Sequence, residues 1–543
     1  MSPWLQHLPV LPILIPLAAA AIILLFAESQ RTLPLVIAFG SSLGQLLAAT
    51  TLLYFTTDAV PHVWAEGIGT YTIGGWRAPF GIVLVVDRLS ALMLVLNALL
   101  ALPVLVYSIA RSDRLGVYYH PLLQLLLMGL NGAFLTGDVF NLFVFFEILL
   151  AASYALLLHG AGTQRVRTAL HFIVINLCAS FAFLIGVAMI YSILGTLNMA
   201  DMAARWPSLQ NGDRGIADAG AAILAIAFLV KAASWPLNFW LPGAYTAALP
   251  SVTAVFSITT KVGVYAILRL GSLLEYSVAP LGGTWLFYGA IATMVFGIAG
   301  ILASRQLQRV AAFNVILSSG TMLAAIGLAP GTMIAPALFY LLGSVLASGA
   351  LFMLTGMTER MRTMTPETAN SPSAQPVTYS AFRVGEPPDP HPPDAEVGVA
   401  IPSAMAFLGL AFVGCALLVT GMPPLAGFVG KLALLSGAFA TLSRSGDTFR
   451  AWLLIGVLLA GGFAGLLAMS RIGMRLFWSV TGRATPRLRV IEAGPVAFLI
   501  LLCIGLTAAA GPVMKYVDSA AQLLSDPQAY IRAVLADAPE GAP

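Results

Sequence analysis

The sequence predicts an all-α integral membrane protein with about 14 transmembrane helices, each a run of roughly 20 mainly apolar residues. Of its 543 residues, 59% are hydrophobic and only 9% are charged, and the mean hydropathy is +0.91. A soluble domain is usually about 25% charged, so this chain has too few charged side chains to cover a water-soluble surface. The apolar runs are long and continuous rather than alternating, which favours helices over a membrane β-barrel.

The fourteen predicted spans are distributed along the whole chain. They lie near 9–27, 33–56, 82–109, 117–136, 138–158, 168–195, 216–242, 251–274, 284–303, 309–329, 333–358, 402–440, 451–478 and 493–513. One segment differs, because 361–398 is dominated by proline and polar residues, and we interpret it as a cytoplasmic linker. The tail after 513 is compatible with a short surface helix over 516–535.

The placement of arginine predicts the orientation of the chain. Loops that follow odd-numbered spans hold more basic residues than the other loops and the termini. Basic loops tend to face the cytoplasm, so both termini are predicted to lie on the outer side. The three cysteines lie far apart in apolar runs, and no Walker, Rossmann or zinc spacing occurs. We therefore expect neither a cofactor nor a bound metal.

Lysine is rare in this chain and has an unusual distribution. Of 27 basic residues only four are lysine, and Lys231, Lys261 and Lys431 fall inside predicted spans, where we expect no arginine to lie deep. A desolvated lysine can release its proton, whereas arginine essentially never does. These three lysines are therefore candidates for proton transfer, and the alternative is that each reaches a headgroup as an ordinary flexible cation. Lys515, beyond the last span, is interpreted as an interfacial charge.

Glu147, in GDVFNLFVFFEILLAASYALLLHG, is the predicted partner of a buried lysine. It is the glutamate placed deepest in a span, and an acid at that depth pairs with a cation or lines a polar interior. Asp138 lies nine residues earlier, near the helix end and on the opposite face, so a capping or loop role is predicted for it. A purely structural ion pair is the alternative interpretation of Glu147.

Two predicted spans are interrupted by proline. In FLVKAASWPLNFWLP (228–242), Pro236 lacks an N–H and crowds the preceding turn, so the helix should break just after Lys231. In GMPPLAGFVGKLALL (421–435), Pro423 and Pro424 break the helix before Lys431. These are the seventh and twelfth spans, which cross in opposite directions. Paired interrupted helices are typical of inverted repeats in transporters, and packing kinks without a transport role are the alternative.

The predicted domain organisation follows from these breaks. Residues 1–110 hold the first three spans, and 117–274 form a first five-helix repeat of spans four to eight. Residues 284–478 form the second repeat, spans nine to thirteen, with the linker 361–398 inside it. The last span and the polar tail occupy 493–543.

Four stretches resemble the antiporter-like membrane subunits shared by respiratory complex I and the multisubunit Mrp-type cation/proton antiporters, especially the D subunits of the Mrp type. They are the Glu147 and Lys231 stretches quoted above, PSVTAVFSITTKVGVYAILR (250–269) and GMPPLAGFVGKLALL, and the resemblance covers about 1–515. It implies fourteen helices, two inverted five-helix repeats and a hydrated polar axis along the membrane plane. It also implies that Glu147, Lys231, Lys261 and Lys431 form a proton pathway in a bacterial cell membrane.

The resemblance leaves one departure and one choice open. Members of the family often carry a histidine on the eleventh helix, where FYLLGSVLASGALFML places Gly343, with Ser344 and Ser348 as the polar groups nearby. The implied function is a proton-translocating subunit of a Na⁺ or K⁺/proton antiporter, a secondary transporter and not an enzyme, working with other membrane subunits in the lipid bilayer. A proton-pumping subunit of a complex I-type or hydrogenase complex, or a transporter acting alone, are the alternatives. No contact with nucleic acid is expected.

Overall fold

The structure is a computed structural model that describes residues 6–26, 32–57, 64–110, 112–160, 162–275, 278, 281–363, 403–444, 447–477 and 488–536. In this part of the chain, 19 α-helices account for nearly all regular structure. Eleven of them are long and apolar enough to cross a membrane. The chain is therefore an all-α multi-pass membrane protein, as the composition predicts. The first three residues of the predicted linker 361–398 belong to the helix that reaches Thr363, and the rest of the linker lies outside the described residues.

The helices follow the predicted spans closely. In chain order they are α1 (Leu11–Leu24), α2 (Thr32–Phe55), α3 (Arg88–Ser108), α4 (Tyr119–Leu135), α5 (Val139–Leu158), α6 (Thr163–Leu194), α7 (Met199–Arg205), α8 (Asn211–Lys231), α9 (Trp240–Ala247), α10 (Pro250–Leu273), α11 (Gly283–Ala303), α12 (Leu307–Leu328), α13 (Pro330–Thr363), α14 (Ser403–Thr420), α15 (Ala426–Arg444), α16 (Thr448–Phe477), α17 (Val490–Ala508), α18 (Ala510–Leu524) and α19 (Pro527–Leu535). The seventh predicted span consists of two helices, α8 and α9, and the twelfth consists of α14 and α15.

Two boundaries differ from the sequence prediction. The third predicted span, 82–109, begins as a strand, because Val83–Val86 (β2) pairs antiparallel with Gly69–Thr72 (β1) before α3 starts at Arg88. Three of its four residues are valine, whose branched side chain suits a strand. The surface helix predicted over 516–535 is two helices, α18 and α19, with Asp526 capping the second.

Three helices form the buried centre of the molecule. The apolar windows of α10, α12 and α13 are 94%, 100% and 94% buried. One face of α10 is polar, since every fourth residue along it carries a polar group. These five side chains, all buried, form what we call the polar stripe: Thr253, Ser257, Lys261, Tyr265 and Arg269.

Candidate functional site

Glu147 lies on α5 and is partly buried against α6. Its carboxylate Oε1 accepts a hydrogen bond from the Ser180 hydroxyl of α6. Asp138 is separate from this contact, because it is the N-cap of α5 and accepts the Asn141 N–H at 2.8 Å. The predicted capping role of Asp138 is therefore confirmed.

Lys231 is the last residue of α8, and its side chain is buried, with 7% of the residue exposed. Nζ has no hydrogen-bond partner among the described residues and lies 5.9 Å from the centroid of the Phe146 ring. Glu147, next along α5, is near enough for its charge to act on Lys231, yet the described residues show no ion pair within 4 Å between them. Glu147 and Lys231 are thus near each other without forming an ion pair, an arrangement that we call the open pair. The Ser180 hydroxyl donates to the carboxylate, and the Phe146 ring faces the ammonium.

The break that follows Lys231 is stabilised by the hydroxyl of one α11 residue, Thr293. Ala233 adopts a left-handed conformation with φ of 56°, and Pro236 lies in the non-helical segment before α9. The Trp235 N–H donates to Thr293 Oγ1 at 2.8 Å, and the Ser234 hydroxyl lies 3.0 Å from the same oxygen. Backbone freed from a helix at membrane depth requires such internal partners, and α11 provides them.

The same break packs directly on α10 through a glycine. A Cβ at Gly263 would lie 2.6 Å from both the Ala232 nitrogen and the Phe228 carbonyl oxygen. Only a residue without a side chain allows this approach, which sets the end of α8 against the helix that carries Lys261.

Lys261 is the most deeply buried of the three lysines, with 1% of the residue exposed. Its Nζ donates to the Ser319 hydroxyl of α12 at 2.9 Å. The neighbouring Ser318 hydroxyl donates to Ser344 Oγ of α13 at 3.1 Å. Two adjacent serines of α12 therefore connect α10 to α13 through polar contacts. The sequence singles out Ser344 but neither Ser318 nor Ser319.

Gly343, next to Ser344, occupies the position where the resembling family often has histidine. A Cβ at this position would be 3.7 Å from Ala426, the first residue of α15, which is ordinary van der Waals contact. The position therefore faces the helix that carries Lys431 and has room for a small side chain. The hydroxyl of the adjacent Ser344 accepts a hydrogen bond from Ser318 of α12.

Lys431 lies on α15, partly buried, and turns back toward the end of α14. Its Nζ donates to the carbonyl oxygen of Thr420 at 2.6 Å, with the Val419 carbonyl oxygen at 3.5 Å. Pro423 and Pro424 lie in the interval between the two helices. The ammonium thus rests on the carbonyl end of the first half-helix, where the helix dipole is negative.

Lys231 and Lys431 both lie near the negative, carbonyl end of a half-helix, but they belong to different halves of their interrupted helices. Lys231 is itself the final residue of the half-helix α8, whereas Lys431 reaches the end of α14 from the second half-helix. They therefore lie on opposite sides of their breaks in sequence, but each is at or near the carbonyl end of a first half-helix. A positive charge is favoured at both places.

One of the predicted spans also carries a buried arginine. Arg269 lies within the predicted span 251–274, is 5% exposed, and forms a bidentate ion pair with Asp87 at 2.7 and 2.8 Å. It lies five residues before the end of that span, and Asp87 compensates its charge, so the expectation that no arginine lies deep in a span stays a prediction. Burial alone would raise the pKa of the Asp87 carboxyl, which precedes α3, but the charge and hydrogen bonds of Arg269 outweigh burial and hold that pKa below its ordinary value. The Tyr530 ring of α19 covers the guanidinium at 5.2 Å.

No cluster of three or more histidine, cysteine, aspartate or glutamate side chains suited to a metal ion occurs among the described residues. The candidate site is instead a series of single buried charges held by hydroxyl and carbonyl oxygens. Such a series can pass a proton or hold a cation.

Comparisons with known proteins agree with this architecture. Residues 136–385 match the family model described as NADH:quinone oxidoreductase/Mrp antiporter, transmembrane. The chain is 47% identical to the D subunit of a probable K⁺/H⁺ antiporter from Rhizobium meliloti over 98% of each chain. It is 33% identical to the D subunit of a Na⁺/H⁺ antiporter from Alkalihalophilus pseudofirmus, over 98% of this chain and 100% of that one.

Two solved structures show the same fold. A chain of the Mrp complex from Dietzia sp. matches with a TM-score of 0.80 and 26% identity, covering 98% of this chain and 100% of that one. A chain of respiratory complex I from Thermus thermophilus matches with a TM-score of 0.72 and 22% identity, covering 95% and 100%.

Proposed function

We infer the function of this chain from its family, because it belongs to the D subunits of the Mrp-type multisubunit antiporters. We propose that it is the proton-translocating membrane subunit of an antiporter that exchanges Na⁺ or K⁺ for protons, moving protons through Glu147, Lys231, Lys261 and Lys431. It would act together with other membrane subunits of the same complex in a bacterial inner membrane. Both termini would lie on the outer side.

The observation that carries this proposal is the retention of three lysines at buried positions of apolar helices. A charged group at the centre of a bilayer costs at least about 2.5–3.5 kcal/mol. Lysine, unlike arginine, can give up its charge there. The chain pairs its buried Arg269 permanently with Asp87, but among the described residues it gives Lys231, Lys261 and Lys431 no carboxylate within ion-pair distance. Lysines without a fixed counter-charge are suited to gaining and losing a proton.

The contacts suggest an order for the proton steps. A proton reaching the open Glu147–Lys231 pair passes from the end of α8 to α10, which the approach at Gly263 brings into contact with it. From Lys261 the hydroxyl contacts through Ser319 and its neighbours lead toward α13 and the start of α15. Lys431 on α15 completes the pathway. We further propose that the interrupted pairs α8–α9 and α14–α15 belong to two inverted repeats, 117–274 and 284–478.

The relatives indicate which cation to test first. The relative with 47% identity is named for K⁺, and those with 33% and 32% identity are named for Na⁺. Since the chain is more similar to the former, K⁺ is the first choice.

Substitutions at Lys231 test the pathway in vesicles that contain the whole complex. Lys231→Ala removes the proton acceptor, and Lys231→Arg keeps a charge that cannot be released. Both variants should abolish K⁺- or Na⁺-dependent dissipation of ΔpH. Lys515→Ala is the matched control, since this fourth lysine is exposed on α18 and lies outside the pathway; it should transport like the wild type.

Full transport by Lys231→Arg would contradict the release of a proton at this position. Co-purification of the chain with flavin and iron–sulfur subunits, instead of other antiporter subunits, would contradict the antiporter assignment and favour a redox-driven complex.

A further inference from the structure

The end of α14 carries carbonyl oxygens that the helix itself does not satisfy. The last carbonyls of any helix have no N–H partner within it. Gly421, with φ of 74°, turns the chain away, and its N–H and that of Met422 both bond the Leu417 carbonyl. The Val419 and Thr420 carbonyl oxygens are left facing Lys431 Nζ, at 3.5 and 2.6 Å.

Two glycines leave room for a cation at this point. A Cβ at Gly421 would lie 2.4 Å from Lys431 Cδ, and a Cβ at Gly462 of α16 would lie 3.1 Å from the Thr420 carbonyl oxygen and 3.6 Å from Nζ. The pocket around them has a volume of about 270 Å³, and Lys431 is the only charged side chain in its described lining. The apolar walls come mainly from Phe428 and Leu432 of α15 and from leucines of α16.

The chemistry of this pocket suits a small monovalent cation. Backbone carbonyl oxygens replace the hydration shell of alkali ions in channels, and the carbonyl ends of interrupted helices bind coupling ions in transporters. A protonated primary amine satisfies the same oxygens in the same way. The ammonium of Lys431 therefore occupies the place that an alkali cation would take.

We propose that the Val419 and Thr420 carbonyl oxygens form a binding site for Na⁺ or K⁺, which protonated Lys431 fills and neutral Lys431 vacates. The site then holds one positive charge at a time, so arrival of a proton on Lys431 expels the cation. Exchange of the two ions would occur within this subunit. This inference rests on the proposed function, because it requires Lys431 to gain and lose a proton.

Few other groups influence this exchange. The described lining of the pocket contains no acidic residue. On α13, Tyr340 packs its main chain against Gly430, and on α14 Cys415 is buried beside Cys503. Tyrosine and cysteine are neutral at ordinary pH. On α16, Arg450 pairs with Asp447, and Arg471 donates to the Leu302 and Ser304 carbonyl oxygens. Arg475 of α16 and Glu492 of α17 line other pockets. Lys431 itself therefore controls occupancy of the site.

Binding of ⁸⁶Rb⁺ to the purified whole complex tests the inference. In the wild type, binding should rise with pH as Lys431 becomes neutral. Lys431→Met keeps the length of the side chain without the charge. It should bind about one more Rb⁺ per complex than the wild type at low pH, where Lys431 is protonated, and the two should converge at high pH, as expected for a carbonyl site that is always vacant in the variant. Lys431→Arg keeps the charge permanently and should lack this pH-dependent binding.

Lys261→Met is the matched control for loss of a buried lysine, because Lys261 contacts a serine hydroxyl instead of helix-end carbonyls. It should bind Rb⁺ with the wild-type pH dependence. Superimposable binding by wild type and Lys431→Met, or retention of the pH-dependent binding in Lys431→Arg, would overturn the inference. If Lys431→Met fails to assemble, the comparison of wild type with Lys431→Arg decides.

The same samples separate this inference from the proposed function. Lys261→Met should lose ΔpH dissipation in vesicles while keeping Rb⁺ binding. Normal transport by Lys261→Met would count against the lysine pathway, and the binding result at Lys431 would stand independently of it.

Discussion

Replacement of Gly263 by alanine should disturb the site by displacing the end of α8. The added Cβ would meet the Ala232 nitrogen and the Phe228 carbonyl oxygen at 2.6 Å, and both are backbone atoms that cannot rotate away. Alanine in a helix gains about 0.5–1 kcal/mol over glycine, whereas overpacking costs about 1–3 kcal/mol. With backbone on both sides the upper end of that cost, about 3 kcal/mol, applies. We therefore expect a net loss of about 2–2.5 kcal/mol, or roughly 30- to 70-fold in the folded-to-unfolded ratio.

Gly289→Ala provides the control for Gly263→Ala. Gly289 lies on α11, and a Cβ there would have no atom within 4 Å among the described residues. Its replacement should be neutral or stabilising by up to about 1 kcal/mol. The measurements are the denaturation midpoint of the complex in detergent at unchanged slope, and ΔpH dissipation in vesicles. If Gly263→Ala is as stable and as active as Gly289→Ala, then the close packing of α8 on α10 does not position Lys231.

Two further predictions concern the polar stripe. Asp87→Asn keeps a helix-capping side chain but leaves Arg269 buried without its counter-charge, so unfolding should become easier by about 3–5 kcal/mol. The pKa of Asp87 is held below its ordinary value, so this difference in stability from the wild type should be constant above about pH 4. It should shrink only as more acidic pH protonates the wild-type carboxyl. Denaturation at several pH values measures the difference, and a difference that already fades near neutral pH would refute the ion pair of Asp87 with Arg269. Ser319→Ala removes the acceptor of Lys261 Nζ, a bond to a charged group worth about 1.5–3 kcal/mol, and should slow ΔpH dissipation by roughly tenfold or more. Ser319→Thr, which keeps the hydroxyl, should transport nearly as the wild type does, and equal rates in the two variants would exclude a role for the hydroxyl.

The positions of the helices could be predicted from the sequence because each depends on a local signal. A continuous apolar run marks a helix of spanning length, and Pro236, Pro423 and Pro424 each lie in an interval between two half-helices. Asp138 could be recognised as a cap because its carboxylate accepts the N–H of Asn141, only three positions later in the sequence. Local rules of this kind act within one or two turns.

The partners of the charged groups could not be predicted, because they are distant in sequence or leave no side-chain signal. Ser319 lies 58 residues from Lys261, and serine is common in apolar helices, where its hydroxyl can bond its own backbone. Asp87 lies 182 residues from Arg269. The partner of Lys431 is a main-chain carbonyl, which every residue possesses. The sequence predicts a direct pairing of Glu147 with Lys231. In the structure the Glu147 carboxylate instead accepts a hydrogen bond from Ser180.

The polar stripe of α10 has a consequence for the biogenesis of the protein. This helix reaches the membrane carrying Lys261 near its middle and Arg269 near its end. A lysine near the centre of a helix opposes insertion by about 2.5–3.5 kcal/mol. Asp87 has already been synthesised when Arg269 emerges, so that charge can be neutralised at once. Ser319 emerges later, on α12, so Lys261 has no hydroxyl partner from that helix until more of the chain has been made. The order of synthesis thus allows α10 to dock on α3 first and to be enclosed by α12 and α13 afterwards.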